Sequence, residues 1–381
     1  MRYVFFTVII VLLQLFSLGA ALSLQWWLQP WMSSTLQTIV WITVFVITNG
    51  LLLLSVSKLL ANSYRWVSGW LLVLHFMMLA ALATWLLYGS YLLIMFLSDI
   101  PNYSETLAFG LRVLALIVFV GLFVYALYSA YVPVVRHRTI NINKLMQGQL
   151  RIAVASDLHL GRLFGSGAID RLRHLVTRHQ ADMLLMPGDI MDDNTQAFMA
   201  YNMMENLVNL GAGLPYGIYA TLGNHDLYGH EQSISSTLRD AGVQLLNDDV
   251  LRIEHQGQAI WLVGRFDNHK HQRVATTELL AQVNITEPVI MLDHRPSDIT
   301  EHSKLPIDLQ VSGHTHNGQV FPANFIVKAI NRLGYGYEAI GQGHFVVSSG
   351  YGFWGIPFRL GSRSEIWLLT VQTAPSVAVQ S

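Results

Sequence analysis

The chain has 381 residues, no cysteine, a formal net charge of -1, and 52% hydrophobic against 12% charged residues. That length allows two or three domains, and the balance is far from that of a soluble globular protein, so part of the chain belongs in lipid. The missing cysteines exclude disulfides, thiolate metal sites and a cysteine nucleophile, and the absence of a Lys/Arg block excludes the electrostatic footprint of a general nucleic-acid binder.

Residues 1–135 read as a transmembrane region. Four apolar runs, about 3–24, 36–54, 66–97 and 107–131, are each long enough for a hydrocarbon core that takes about 20 helical residues. The third is long, and Gly89-Ser90 gives it a place to bend or to continue along the interface. Trp26, Trp27, Trp31, Tyr88 and Tyr91 have the character of interfacial aromatics. Arg2, Lys58 and Arg65, then Arg136, Arg138 and Lys144, alternate with loops 25–35 and 98–105 that have no Lys or Arg, which predicts both termini in the cytoplasm. The small residues Gly19-Ala20-Ala21 admit a cleaved leader as the alternative, with the C-terminal domain on the same side. Gln14, Asn49, His75 and Arg112 are too few polar groups for an ion path, and His75 is expected to be neutral, hydrogen-bonded and facing other helices.

Residues 136–149 read as a short basic linker, and 150–381 as an α/β domain. Strands are predicted over 150–155, 183–186, 217–221, 260–263, 289–292, 309–311 and 345–347, with helical periodicity over 168–179 and 195–210.

The chemistry-bearing residues come just after these strands. They are Asp157 and His159, Gly188-Asp189, Gly223-Asn224-His225-Asp226, His294, and Gly313-His314-Thr315-His316. The carboxyl ends of strands form the ligand crevice of open α/β sheets, so five segments deliver Asp, His and Asn to one edge. Asp157 with His159, and His314 with His316, are i, i+2 pairs that extended backbone would project to the same side, each able to grip an ion. This mixture of carboxylate, imidazole and amide oxygen suits Zn, Mn or Fe rather than Ca. Asp189 is the natural bridge between two ions. Two adjacent ions can bring a bridging water toward neutrality in pKa and clamp the oxygens of an in-line displacement at phosphorus. Asp192 and Asp193 read as caps of the next helix, and His269 and His271 as part of a solvated loop.

The ordered series D-x-H, G-D, G-N-H-D, a lone H and G-H-x-H resembles the calcineurin-like metallophosphoesterase superfamily, over about residues 150–370. The resemblance implies a four-layer αββα sandwich of two mixed sheets flanked by helices, with two divalent metal ions at the strand ends. It implies Asp157, His159, Asp189 and His316 for one ion, and Asp189, Asn224, His294 and His314 for the other. His225 would be the non-ligand catalytic histidine, oriented by Asp226. The tail 350–366, with Gly350-Tyr351-Gly352, Pro357, Arg359 and Glu365, resembles the membrane-anchored bacterial branch, and its residues read as structural. Asn317 departs from that branch, which usually has Gly there, and puts the loop geometry in question.

The implied function is a phosphoric ester hydrolase, a phosphodiesterase or phosphomonoesterase, in a bacterial inner membrane with its catalytic domain in the cytoplasm. The short linker favours a lipid-linked or headgroup phosphoester, with no nucleic-acid partner. The alternatives are a membrane receptor or scaffold that keeps the metal fold as a binding module, or a transporter regulated by it. Loss of a ligand would signal the former, and none is missing.

Overall fold

The computed structural model describes residues 2–56, 63–98, 103–270 and 272–375, so Lys58, His271 and positions 99–102 of the second uncharged loop lie outside the described residues. The chain divides into two compact units, Met1–Ala126 and Leu127–Ser381.

The first unit contains α1 (Arg2–Leu28), α2 (Ser34–Val56), α3 (Ser63–Leu97) and most of α4 (Ser104–Tyr131). Among the described residues three stretches, Ser34–Leu54, Arg65–Leu97 and Ser104–Tyr131, are long and apolar enough to cross a membrane. The sequence predicts four spans. The helix α1 has the length, 27 residues, and is not among the three. Through Gly89-Ser90 α3 is continuous. The interior is built on small residues, Ala20, Ala21, Ala80, Ala81 and Ala115, around Trp27 and Leu74, because small side chains let helix backbones approach where lipid supplies no hydrophobic drive. Polar groups pair across helices: Gln14 Nε2 donates to Asn49 Oδ1 at 2.9 Å, and Ser17 Oγ to Thr48 Oγ1 at 3.0 Å. Arg112 donates to Trp26 O at 2.9 Å and Gln29 Oε1 at 3.0 Å, and His75 packs between the rings of Phe16 and Phe76. Ile42, Phe45, Val46 and Leu53 of α2 point outward, which is what an apolar solvent requires of a helix surface.

The second unit runs β1 (Val134–Ile142), β2 (Leu150–Val154), α5 (Ser166–Arg178), β3 (Met183–Pro187), α6 (Gln196–Ala200), α7 (Met203–Ala212), β4 (Ile218–Thr221), α8 (Glu231–Asp240), β5 (Val243–Leu245), β6 (Asp249–His255), β7 (Gln258–Arg265), α9 (Thr276–Leu280), β8 (Val289–Asp293), α10 (Ile299–His302), β9 (Leu309–Ser312), α11 (Ala323–Ile330), β10 (Gly336–Ile340), β11 (Gly343–Val347) and β12 (Glu365–Thr373). Two six-stranded sheets form, in the orders β1-β12-β2-β3-β4-β5 and β10-β11-β9-β8-β7-β6. The strands β2 to β5 are mutually parallel, as are β7, β8, β9 and β11, while β12 runs against β2 and β10 against β11.

Alternation along the strands sets the layers. Ile152, Val154 and Leu185 of the first sheet meet Ile260, Leu262, Ile290, Leu309 and Val311 of the second. Ala153, Leu184 and Ala220 face the other way, under Leu172 of α5, Leu207 of α7 and Ile234 of α8. Val263, Val289 and Met291 likewise meet Leu279 and Leu280 of α9.

The stretch 136–149 is not a linker. Its first part is β1, paired in parallel with β12 from Val134↔Glu365 to Ile142↔Thr373. The basic residues that suggest a linker stand on an edge strand, where exposed charge blocks pairing with further strands. Lys144, just beyond, pairs with Asp308 at 2.6 Å.

Candidate metal centre

Each parallel strand near the middle of the two sheets ends in a sharp departure from the sheet. Asp157 and His159 follow β2, Asp189 follows β3, Asn224 and His225 follow β4, His294 follows β8, and His314 and His316 follow β9. The backbone there is not extended: Asp157 (φ 50°), His159 (φ 45°), Asp189 (φ 52°), His314 (φ 70°) and His316 (φ 49°) are all in the left-handed region. Same-side projection of i, i+2 residues therefore fails as the reason for their convergence. His314 and His316 go to different clusters, one of Asp189, His294 and His314, the other of Asp157, His159 and His316, in each of which the candidate ligand atoms lie within 4.8 Å of one another.

Asp189 stands between the two clusters. Its Oδ2 is 3.2 Å from His294 Nε2 and 3.8 Å from His159 Nε2, and its Oδ1 accepts the backbone N–H of His225 at 2.9 Å. His316 Nε2 is 3.2 Å from His159 Nε2 and 3.5 Å from Asp157 Oδ1. His294 Nδ1 donates to Pro187 O at 2.8 Å, which orients the ring and sets Nε2 against Asp189. Asn224 Nδ2 donates to the Tyr228 hydroxyl at 2.8 Å, which orients the amide. A buried polar atom without a partner is costly. Asn224 Oδ1, His159 Nδ1 and His314 Nδ1 are buried in that state, so the donor set fits divalent cations.

Burial raises the Asp157 carboxyl to about 6, with Asp189 adding to the rise and His294 opposing it. Burial also pushes Asp189 up, but His294, His159 and His225 outweigh it and hold Asp189 well below the ordinary carboxylate range. Against burial, Asp189 lifts His294 to about 10. Burial lowers His159 and His314 to about 3 and, with Arg359 beside it, His316 well below the usual imidazole value. Three neutral imidazoles thus offer lone pairs next to an ionised carboxylate, a combination that a cation stabilises.

Two glycines make room for this. A Cβ on Gly223 would lie 2.2 Å from Asp189 Oδ1, and one on Gly313 2.2 Å from Asp157 Oδ2. Asn317 takes φ 47°, ψ 40°, a conformation that Asn tolerates nearly as Gly does, so the departure from glycine preserves the turn.

The residues around the ligands depart from the sequence reading. The Asp226 carboxylate is bonded elsewhere than to the His225 ring: it accepts the backbone N–H groups of Ile190, Met191 and Gly223 at 2.9–3.1 Å, bracing the loop that carries Asp189. Burial, with Asp189 nearby, raises it to about 7. Asp193 pairs with His225 instead, Oδ1 to Nδ1 at 2.5 Å. Burial would lower His225, but this bond prevails and raises it. Neither Asp192 nor Asp193 caps a helix, because α6 begins later, after Thr195. The acidic run after Gly188 is the visible signal, and its spacing alone does not say which carboxylate turns inward.

The cleft beside these residues, about 250 Å³, is lined by Asp189, Asn224, His225, His314, Gln319 and Trp354. Behind it Arg359 is fully buried, donating to Ser349 O and Gly352 O at 2.7 Å each and lying 3.1 Å from His316 Nδ1. Burial lowers it to about 10, so it stays charged at neutral pH. A further group, Asp293, Asp298 and His302, has ligand-like spacing. Arg265 and Arg273 sit among them, at 2.8–3.7 Å from the carboxylates, and supply the positive charge a metal would bring. His269 donates its backbone N–H to Asp267 Oδ1 at 2.8 Å, in the loop expected to be solvated.

Paired carboxylates and imidazoles at the strand ends of a two-sheet α/β unit define a metal-dependent phosphoester hydrolase with a dimetal centre. Residues 150–318 match the family described as calcineurin-like phosphoesterase. An uncharacterized metallophosphoesterase of Helicobacter pylori is 31% identical over 277 residues, covering 70% of this chain and 72% of that protein. One from Aquifex aeolicus is 32% identical, covering 65% and 95%. A transmembrane protein with metallophosphoesterase domain from Bos taurus is 30% identical, covering 65% and 59%. The chain belongs to the calcineurin-like phosphoesterase family, with bacterial and animal relatives. Among solved structures, a dimetal phosphatase from Danio rerio superimposes with a TM-score of 0.35 at 11% identity, covering 59% of this chain and 99% of that one.

Proposed function

We propose that Asp157, His159, Asp189 and His316 hold one divalent ion, and Asp189, Asn224, His294 and His314 a second, with Mn, Zn or Fe the metals their chemistry suits. The observation that carries this is the position of Asp189, within 4 Å of imidazoles from both clusters. Two ions there would supply a water nucleophile at neutral pH and charge stabilisation for an in-line displacement at phosphorus. His225, kept protonated by Asp193, gives its other ring proton to the leaving oxygen of a phosphodiester or phosphomonoester. Asp226 holds the Asp189 loop in place through the three backbone N–H groups it accepts.

The substrate is a lipid-linked or headgroup phosphoester. What supports this is the short connection from Tyr131, the last residue of α4, to Val134, the first of β1. In this reading α1 also crosses, giving four spans over residues 1–135, and the basic residues Arg2, Arg65, Arg136, Arg138 and Lys144 keep the catalytic domain on the cytoplasmic side of a bacterial inner membrane. Since β1 begins at Val134, the test uses the full chain. Purified with added Mn, it hydrolyses an aryl phosphodiester or monoester, and Asp189→Asn abolishes both turnover and binding of the two metals. Metal content and turnover that survive the substitution would sink the ligand assignment. Equal turnover of a soluble nucleotide and of membrane lipid extracts would sink the lipid substrate.

A further inference from the structure

The helix α11 is unusual in the second unit because none of its residues is buried. Phe325, Ile326 and Ile330 are 61%, 59% and 75% exposed. A helix of eight residues does not hold by propensity alone and normally packs an apolar face on the core. Here that face looks outward. At 100° per residue, Pro322, Phe325, Ile326, Ala329 and Ile330 share one arc, Lys328 flanks it, and the helix contains no acidic residue.

The location of α11 says what the arc meets. One loop, residues 351–364, touches the last turn of α4 with one part and the approach to α11 with another. On the α4 side, Phe353 packs on Tyr131 with ring centres 5.3 Å apart, Ser364 N–H donates to Ser129 O at 2.9 Å, and Arg363 donates to Val132 O at 3.0 Å. On the α11 side, Gln319 exchanges hydrogen bonds with the Trp354 backbone at 2.9 Å each, and Phe321 N–H donates to Leu360 O at 2.6 Å. Trp354, 46% exposed, stands between and lines the metal cleft. Leu163, 42% exposed, belongs to the same neighbourhood, since its carbonyl accepts the Tyr131 hydroxyl at 3.1 Å. Loop 351–364 thus links the segment leading into α11 with the last turn of α4, where the chain leaves an apolar helix long enough to span a membrane.

We infer that the apolar arc of α11, with Trp354 and Leu163, docks on the lipid bilayer, lying at the boundary of headgroups and acyl chains and opening the metal cleft onto the lipid surface. Amphipathic helices of this composition lie in that plane, with Lys328 reaching the headgroups and the Trp354 ring at the interface. Lipid is the one apolar phase that the chain's own spans keep within reach. The inference rests on membrane anchoring of the chain and not on which phosphoester is cleaved, though it gives the lipid-substrate reading its route of entry.

Because the chain has no cysteine, single introduced cysteines report cleanly. Full-length protein carrying Ile326→Cys is labelled with an environment-sensitive fluorophore and reconstituted in vesicles of phosphatidylethanolamine and phosphatidylglycerol. Ile285→Cys, 49% exposed before the start of β8 and so at the opposite end of that strand from His294, is the control. The expected result is blue-shifted emission from the label on α11, quenching by nitroxide-bearing lipid, and protection from aqueous iodide about fivefold or more relative to the control position. Equal iodide access at the two positions overturns the inference. So does protection that disappears when the protein is diluted to about one copy per vesicle, since the face then belongs to a second copy. Aryl-phosphoester turnover by the same labelled protein is read separately. Its loss speaks against the hydrolase assignment and leaves the label to decide docking.

Discussion

Replacing Gly223 by Ala tests whether the backbone behind Asp189 sets the metal centre. The added Cβ would lie 2.2 Å from Asp189 Oδ1 and 2.4 Å from its backbone nitrogen, whereas real Cβ contacts are essentially never under 3.0 Å. The two loops must part by roughly 0.8 Å, the gap between 2.2 and 3.0 Å. Neither side yields easily. Gly223 N–H is bonded to Asp226 at 3.0 Å, and the same carboxylate holds Ile190 and Met191. A displacement of about 1 Å at a reacting centre costs on the order of 100-fold in rate, and forcing a carbon into a packed site costs about 1–3 kcal/mol of stability. Metal content by elemental analysis and kcat/KM on an aryl phosphoester, measured on folded full-length protein, should both fall. Gly211→Ala in α7 is the control: its Cβ meets Ile218 Cδ1 at an ordinary 3.5 Å, so activity stays unchanged and stability rises by a few tenths of a kcal/mol, up to about 1. A Gly223→Ala enzyme with two metals per chain and wild-type kcat/KM would refute the idea that this contact positions Asp189.

Asp193→Asn removes the charge that keeps His225 protonated. Turnover of an alkyl phosphoester, whose leaving oxygen needs a proton, should drop about tenfold or more while a nitrophenyl ester is little affected; equal loss on both substrates would make Asp193 a merely structural residue. His302, outside both ligand clusters, gives a pH-dependent stability. Its Nδ1 donates to Gln310 at 2.8 Å, so Nε2 accepts from Thr276 at 2.9 Å and from Arg265 at 3.1 Å, and burial lowers it to about 4. The unfolded chain, titrating near 6.5, binds more protons between about 4 and 6.5, so stability is full above that window and falls as pH drops through it, by up to about 3 kcal/mol. Chemical denaturation of His302→Gln should lose that component of the slope, and an unchanged slope would exclude His302 as its source.

Strand-end placement of the chemistry was legible because it needs only that apolar β-rich runs be followed by Asp, His or Asn, and the family's order of motifs assigned His314 and His316 to separate ions where spacing alone paired them. What misled was local geometry. The i, i+2 rule presumes extended backbone, and five of the seven proposed ligands have positive φ. Asp193 takes the role expected of Asp226 because side-chain direction after a turn is set by tertiary contacts, here three backbone donors that hold Asp226. The stretch around Arg136 looked like a linker because an edge strand shows its charges to water. It is a strand because β12, more than two hundred residues away, offers it a parallel partner, a pairing that no local window contains.

The left-handed ligands also say how the site is kept ready. A non-glycine residue in that region costs about 1 kcal/mol or more, and Asp157, His159, Asp189, His314 and His316 all bear it. Such strain persists only where the surroundings over-determine it. Asp157 Oδ1 and Oδ2 accept His314 N–H at 2.9 and 3.1 Å, its N–H donates to Gly188 O at 3.0 Å, and His159 N–H donates to Asp189 O at 3.0 Å. The loops after β2, β3 and β9 are thus bonded to one another, ligand to ligand through the backbone. Rigidity of this kind resides in the hydrogen bonds that tie the three loops to one another.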